Sequence, residues 1–224
     1  LVEAGARILP GFAAELAARA MRDLESLGVQ VWTSARVTDV THIGVTVGSE
    51  KVASSTVLWA AGVRAADIGR SLGVALDTVG RVIVESDLTI PGHANVFVAG
   101  DLACSKDKNG TVLPGVAPVA KQQGSYVADM IARDLQGRAR EAFAYVDYGR
   151  LATIGRSRAI VQLNRCNLSG RLAWWFWLTM HIYYLNGFRN RLSVLVQWAW
   201  SFFNSSRGAR LIVGKEWRSY ESDR

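Results

Sequence analysis

Nine residues, Asn95 to Ala103, constrain this chain more than any others; they read NVFVAGDLA. Apolar and small side chains run without interruption into Gly-Asp, the pattern of a buried parallel strand whose C-terminal end offers a carboxylate. In open α/β sheets that edge is where ligands bind. A helical stretch follows from Val116 to Leu135, so its N-terminal amides face the same ligand and Asp101 is set to accept hydrogen bonds from a polyhydroxyl chain. A flavin dinucleotide meets both demands. The same residues also read as a plain strand end with an N-capping Asp, and the rest of the chain has to decide between the two.

Charge divides the chain unevenly. Residues 1–149 carry 14 basic and 16 acidic groups, whereas residues 150–224 carry 12 and 3. The basic character therefore belongs to the last third, where six of the eight Trp also fall, five of them between Trp174 and Trp200. With 224 residues, half of them hydrophobic, the chain can bury one sizeable core or two small ones. Cys104 and Cys166 stand far apart with no CxxC spacing, so neither a disulfide framework nor a metal site is indicated and a reducing compartment fits. No leader and no run of 18 uncharged apolar residues is visible. Leu1-Val2-Glu3 reads as the end of a strand already under way, so the chain is expected to be incomplete at its N-terminus.

Glu15 to Leu27 carries a helical stripe of Leu16, Ala20, Leu24 and Leu27 ended by Gly28, and Val29 to Trp32 is a short strand. Glu3 then stands where a nucleotide-binding βαβ unit places the carboxylate that holds adenosine ribose hydroxyls; a solvated strand end is the plainer alternative. Val37–Val40, Gly44–Val47 and Lys51–Ala53 alternate as a small antiparallel meander. Ser55 to Ala61 runs STVLWAA into Gly62, which predicts another buried strand meeting a glycine. Arg81–Val84 and Asn95–Ala99 are the next strands, joined through the turn dipeptide Pro91-Gly92. In the following helix Ala117, Ala120, Gly124 and Ala128 form a small-residue face that can lie close to a flat ring, and Gln122 and Gln123 add neutral hydrogen-bonding groups.

Residues 145–165 predict three strands, YVDYG, LATIGRS and RAIVQLNR. Leu172–Leu185 and Leu192–Phe203 are dense apolar runs separated by NGFRNR, each too short to span a bilayer. Flanked by Arg171, Arg189, Arg191, Arg207 and Arg210, and rich in Trp and Tyr, they match an interfacial anchor in the headgroup region. A buried core or dimer interface is the alternative. Nucleic acid is disfavoured because the aromatics sit in uninterrupted apolar runs.

In order, VEAGARILPGF, WAAGV, NVFVAGDLA, PGVAPVAKQQGSYVA, LATIGRSRAIVQ and HIYYLNGFRNRLSVLVQWAWSFF resemble the C-terminal part of a type II NADH dehydrogenase, from Leu1 to about Val213. The HIYYLNGFRNR and QWAWSFF tail makes the resemblance specific. It implies an α/β, partial two-dinucleotide-binding (Rossmann-like) flavoprotein fold with a C-terminal amphipathic helical membrane anchor. Residues 1–63 would be the C-terminal part of the NADH-binding domain, 64–142 the returning part of the FAD-binding domain with the quinone-site helix, and 143–224 the membrane-associating region. The implied activity is non-electrogenic electron transfer from NADH through FAD to quinone, on the cytoplasmic face of the cell membrane, by a peripheral (monotopic) protein. It admits a homodimer and calls for no metal.

The resemblance also distributes roles. Glu3 would hold the NADH adenosine ribose, its carboxylate favouring NADH by repelling a 2′-phosphate. Trp59, Ala61 and Gly62 would line the nicotinamide side. Asp101 would bind the FAD ribityl chain with Gly100 permitting close approach, while Ala117, Pro118, Val119 and Ala120 would pass beside the isoalloxazine. Lys121 and Gln122 are the candidates to steady the quinone oxygens. The family's quinone motif, often written AQxAxQ, reads Ala117-Pro118-Val119-Ala120-Lys121-Gln122 here, so Pro118 replaces its first Gln. Neither glycine-rich phosphate loop of the family occurs within residues 1–224, so the chain alone is expected to bind FAD poorly and to be inactive. Two rival readings are a soluble flavoprotein reductase for a disulfide or iron-sulfur partner, and a non-enzymatic membrane-associated remnant.

Overall fold

A computed structural model describes residues 1–204 as two compact units. One contains Leu1–Val37 and residues 149–204; the other is Thr38–Tyr148.

The first unit opens with a parallel pairing. The Glu3 amide donates to the Trp32 carbonyl at 2.8 Å and the Trp32 amide to the Leu1 carbonyl at 2.9 Å. Parallel neighbours need a crossover, and helix α1 (Ala14–Ser26) supplies it. Its buried Leu16 and Ala20 pack with Ile8 and Ile160, and the expected stripe fails only at Leu27, which follows the helix and is exposed. The Ala13 amide at the start of α1 donates to Gln162 Oε1 at 2.7 Å, satisfying one of the helix's orphan donors.

In the second unit β1 (Val37–Thr41), β2 (Gly44–Val47) and β3 (Glu50–Ala53) form the expected antiparallel meander. The predicted buried strand at Ser55–Ala61 is not formed. The Ser54 amide closes the meander on the Ile43 carbonyl, after which residues 55–64 run as exposed irregular chain with Leu58 and Trp59 turned outward. A single helical turn, α2 (Ile68–Ser71), leads to β4 (Val82–Ile83), then β5 (Thr89–Ile90) and β6 (His93–Phe97).

The strand inside NVFVAGDLA also departs from expectation. Pro91-Gly92, with Gly92 at φ +79°, folds β6 back on β5, so its ladder is antiparallel and its surface mostly exposed. Gly100–Leu102 form a 3-10 turn, and the parallel pairing falls to the two residues after it, β7 (Ala103–Cys104) against β4. Val82, Ile90, Val98 and Ala103 make the core beneath. Helix α3 (Ala117–Leu135) follows, with Pro118 in its first turn, where a missing N–H costs little.

Returning to the first unit, β8 (Arg150–Gly155), β9 (Arg158–Leu163) and β10 (Cys166–Ser169) form an antiparallel sheet with β9 central. The predicted strand at YVDYG is absent; the third strand is Cys166–Ser169, because a hairpin at Asn164-Arg165 lets it pair back on β9. Strand alternation sends Ile160 to the α1 side, while Ala159 and Val161 face α4 (Gly170–Tyr184) through Ala173, Trp174 and Trp177. Helix α5 (Phe188–Asn204) is the last described element. No described helix is long and apolar enough to cross a membrane.

Candidate functional site

The turn that presents Asp101 is built from glycine upward. Gly100 adopts φ +72°, a left-handed conformation costly for other residues, and a Cβ there would lie 3.6 Å from the Ala120 Cβ. Asp101 is exposed, and Gly115 lies beside its carboxylate: a Cβ at Gly115 would meet Asp101 Oδ1 at 3.3 Å. The structure therefore brings Gly100, Asp101 and Ala120 together at the first turn of α3. Of the predicted small-residue face, Ala120 is half-buried against this turn, whereas Ala117, Gly124 and Ala128 are exposed. Pro118 is exposed and Val119 is buried, so Val119 serves the core beneath the helix.

Gln122 and Gln123 part company. Gln123 is fully buried; its Oε1 accepts from the Gly100 amide at 2.6 Å and its Nε2 donates to Ser105 Oγ at 2.7 Å. Gln122 faces the returning chain, donating to the Val146 carbonyl at 2.9 Å and accepting from the Val146 amide at 3.0 Å. Lys121 is exposed between helix and solvent.

That returning chain, residues 138–147, is fastened further along, which the sequence reading did not foresee. The Arg140 guanidinium bonds Asp134 Oδ1 at 2.9 Å and Asp87 Oδ2 at 3.1 Å, and it lies 4.8 Å from the centre of the Phe97 ring. The Tyr126 hydroxyl donates to the Glu141 carbonyl, and Phe143 donates its amide to Ser86 at 2.8 Å. Hydrogen bonding to Arg140 holds the Asp134 carboxyl below its ordinary range. Burial pushes Asp87 up, but bonds from Thr89 and Arg140 outweigh it and hold Asp87 low as well. The two carboxylates in turn raise Arg140 above its ordinary value.

In the other unit Glu3 ends the parallel pairing with its carboxylate turned onto its own loop, Oε1 accepting from the Gly5 amide at 2.7 Å. The Ala35 amide donates to the Glu3 carbonyl at 3.0 Å, which fixes the strand end. Trp59, Ala61 and Gly62 lie instead on the exposed 55–64 segment of the second unit, Gly62 at φ +115°.

The C-terminal helices pair an aromatic interface with an exposed apolar face. Trp177 stacks on His181 with ring centres 3.9 Å apart and on Trp198 of α5 at 5.6 Å, while Trp174 meets Phe202 at 5.5 Å. The Arg156 guanidinium lies 4.3 Å from the Phe202 ring centre. On the outward side Leu172, Trp175, Tyr183, Phe188, Leu192, Val196 and Trp200 are exposed. Residues 150–204 hold seven Arg and no Asp or Glu. Arg171 and Arg189 are exposed, and Arg191 is bonded to the Leu185 carbonyl at 2.8 Å; Arg207 and Arg210 lie outside the described residues.

Comparison with known proteins gives two family matches. The pyridine nucleotide-disulphide oxidoreductase model matches residues 1–124, and the NDH2 C-terminal domain model matches residues 148–206. Among curated relatives, the type II NADH:quinone oxidoreductase Ndh of Mycobacterium tuberculosis (strain ATCC 25618 / H37Rv) is 38% identical over 228 residues, covering 96% of this chain and 48% of that protein. The type II NADH:quinone oxidoreductase of Staphylococcus haemolyticus (strain JCSC1435) is 32% identical over 177 residues, covering 77% of this chain and 44% of its own length. The chain thus spans about half the length of the curated relatives it matches. In fold it is similar to NDH2 from Plasmodium falciparum, solved in complex with NADH, with a TM-score of 0.79 at 16% identity over 89% of this chain and 57% of that one.

Proposed function

From the premise that this chain belongs to the pyridine nucleotide-disulphide oxidoreductase family, and by its C-terminal domain to the type II NADH dehydrogenases, we propose that the intact protein carries electrons from NADH to quinone. FAD is the cofactor of this reading, and the protein works as a peripheral membrane enzyme on the cytoplasmic face. The observation that carries it is the Gly100–Asp101 turn set against the first turn of α3.

The residues present fit a flavin. An exposed carboxylate on a left-handed glycine turn, a helix N-terminus and the exposed small residues Ala117 and Gly124 together leave room for a polyol and a flat ring. Held at this turn, FAD would supply the two-electron redox chemistry that links NADH to quinone. Asp101 accepts hydrogen bonds from the ribityl hydroxyls. The N-terminal end of α3, from Ala117 through Ala120, offers positive dipole to negative charge on the ring, and Pro118 withholds one N–H there. Glu3 holds the adenosine ribose of NADH once its carboxylate turns from Gly5 or shares with it. Trp59, Ala61 and Gly62, exposed and unconstrained by a strand, line the nicotinamide side.

Lys121 and Gln122 steady the quinone oxygens. Gln122 does so while clamped to Val146, so a quinone oxygen shares an amide already bonded rather than meeting an idle one. The outward face of α4 and α5, from 172 to 203, rests on an anionic membrane surface, with Arg171, Arg189 and Arg191 beside it supplying the charge attraction. In this reading residues 1–63 serve NADH, 64–142 serve FAD and quinone, and 143–224 serve the membrane, with a homodimer compatible.

Asp101→Ala in the full-length protein tests the proposal. Loss of a charged acceptor is expected to weaken FAD binding by about tenfold or more, measured by fluorescence titration of the apoprotein. Lys121→Ala should raise KM for quinone while leaving NADH oxidation by a soluble acceptor unchanged. Equal losses with both acceptors would overturn the quinone assignment.

A further inference from the structure

Gln123 lies on the α3 turn after Ala120, and its side chain is 0% exposed with both ends of the amide in use. Its partners are not neighbours of each other. Gly100 opens the 3-10 turn and Ser105 follows β7, so one side chain brackets residues 100–105, the segment that carries Asp101. The linkage continues outward: the Ser105 carbonyl accepts from the Leu113 amide at 2.9 Å, and the Leu113 carbonyl accepts from Arg81 Nη1 at 3.3 Å. Leu113 directly precedes Pro114-Gly115, the approach to the N-terminus of α3.

A buried amide is costly unless bonded at both ends, and here each bond falls on a group whose position matters for Asp101. Ala99 before the turn is extended, and Gly100 is left-handed, so the peptide linking them can pivot unless its N–H is held. The Gln123 oxygen is what holds it. We propose that Gln123 is a positioning residue, fixing the Gly100–Asp101 turn against α3 so that carboxylate and helix N-terminus form one preformed surface for the polyol and ring of FAD. This rests on the reading of Asp101 as an FAD contact. Gln123 itself touches no ligand; it acts through the Gly100 amide.

The test uses the full-length protein with four variants and two readouts. The first readout is hydrogen exchange of the Gly100 amide; the second is FAD affinity by titration of the apoprotein. Gln123→Met keeps the volume but removes both bonds, and should speed Gly100 exchange and raise the FAD Kd, each by about tenfold or more. Gln123→Glu, taken up as the neutral acid because a buried unpaired charge is costly, keeps an acceptor for Gly100 and a donor for Ser105, so both readouts should stay within about threefold of the parent. Ser105→Ala removes one bond only and should move both in the same direction by a smaller factor; it decides the matter if Gln123→Met fails to fold.

Unchanged Gly100 exchange in Gln123→Met overturns the proposal, as does faster exchange with an unchanged Kd. A Gln123→Glu protein that protects Gly100 yet binds FAD as weakly as Gln123→Met also overturns it. Asp101→Ala separates the two levels: an unchanged Kd there removes the Asp101 reading, whatever Gly100 exchange reports about Gln123.

Discussion

The Asp77 carboxylate accepts hydrogen bonds from the main chain of Val79 and from the main chain and guanidinium of Arg81. Burial pushes its carboxyl up, but these bonds outweigh burial and hold it below the ordinary value, as bonding does for Asp87 and Asp134. A group whose folded pKa lies below its unfolded one stabilises the fold fully above the unfolded value, about 3.9 for Asp, and loses that stabilisation as pH falls through the folded value. Urea midpoints should therefore be steady from pH 7 to pH 5 and fall steeply below about pH 4. Asp77→Ala should cost about 2 kcal/mol near neutral pH and make the acid limb shallower; an unchanged limb would mean that Asp77 is not among its causes. Residues of this kind were only half legible. Gly100 and Asp101 stood out because Gly-Asp after an apolar run is a recognisable pattern, whereas Gln123 reads from sequence as a polar group offered to a ligand and is instead buried against Gly100 and Ser105, which no local pattern announces. Gln122 is likewise a backbone clamp for Val146, which no local spacing announces.

At the scale of elements, α4 and α5 look alike in sequence and differ in how they are held. Helix α4 covers β9 through Ala173, Trp174 and Trp177, whereas α5 is fastened through Trp198 and Phe202 and exposes Leu192, Val196 and Trp200 at four-residue spacing. Replacing Leu192, Val196 and Trp200 with Gln should lower binding to vesicles containing anionic lipid by tenfold or more, on the order of 1.5–3 kcal/mol per apolar side chain buried, while the melting temperature changes little. Sedimentation with vesicles measures the first and circular dichroism the second; unchanged sedimentation would sink the anchor reading. Removing α4 instead should unfold the β8–β10 sheet, because Ala159 and Val161 would lose their cover. The helices α1 and α3 and the meander were legible from periodicity and turn residues. The strands at Ser55–Ala61 and at YVDYG were not, because an apolar run becomes a strand only when a partner edge accepts its main chain, and a partner edge is not a local property.

For the whole molecule, the division into two compact units shows that sequence neighbours need not share a core: Leu1–Val37 folds with residues 149–204. Residues 1–224 contain no GxGxxG loop to receive a pyrophosphate. The 224-residue chain purified alone should therefore carry well under one FAD per chain by absorbance; a stoichiometric flavin complex that oxidises NADH would contradict this. The sequence by itself determined the α/β class, helices α1, α3, α4 and α5 and the placing of Gly100-Asp101 ahead of α3, because these depend on periodicity and motifs a few residues long, and its motifs carried the resemblance to the family. Only the tertiary structure decided that β6 runs antiparallel, that β9 is sandwiched between α1 and α4, and that Gln123 holds the turn carrying Asp101. Each of these is a pairing between groups far apart in the chain, and burial, which sets its energy, exists only once the chain has folded.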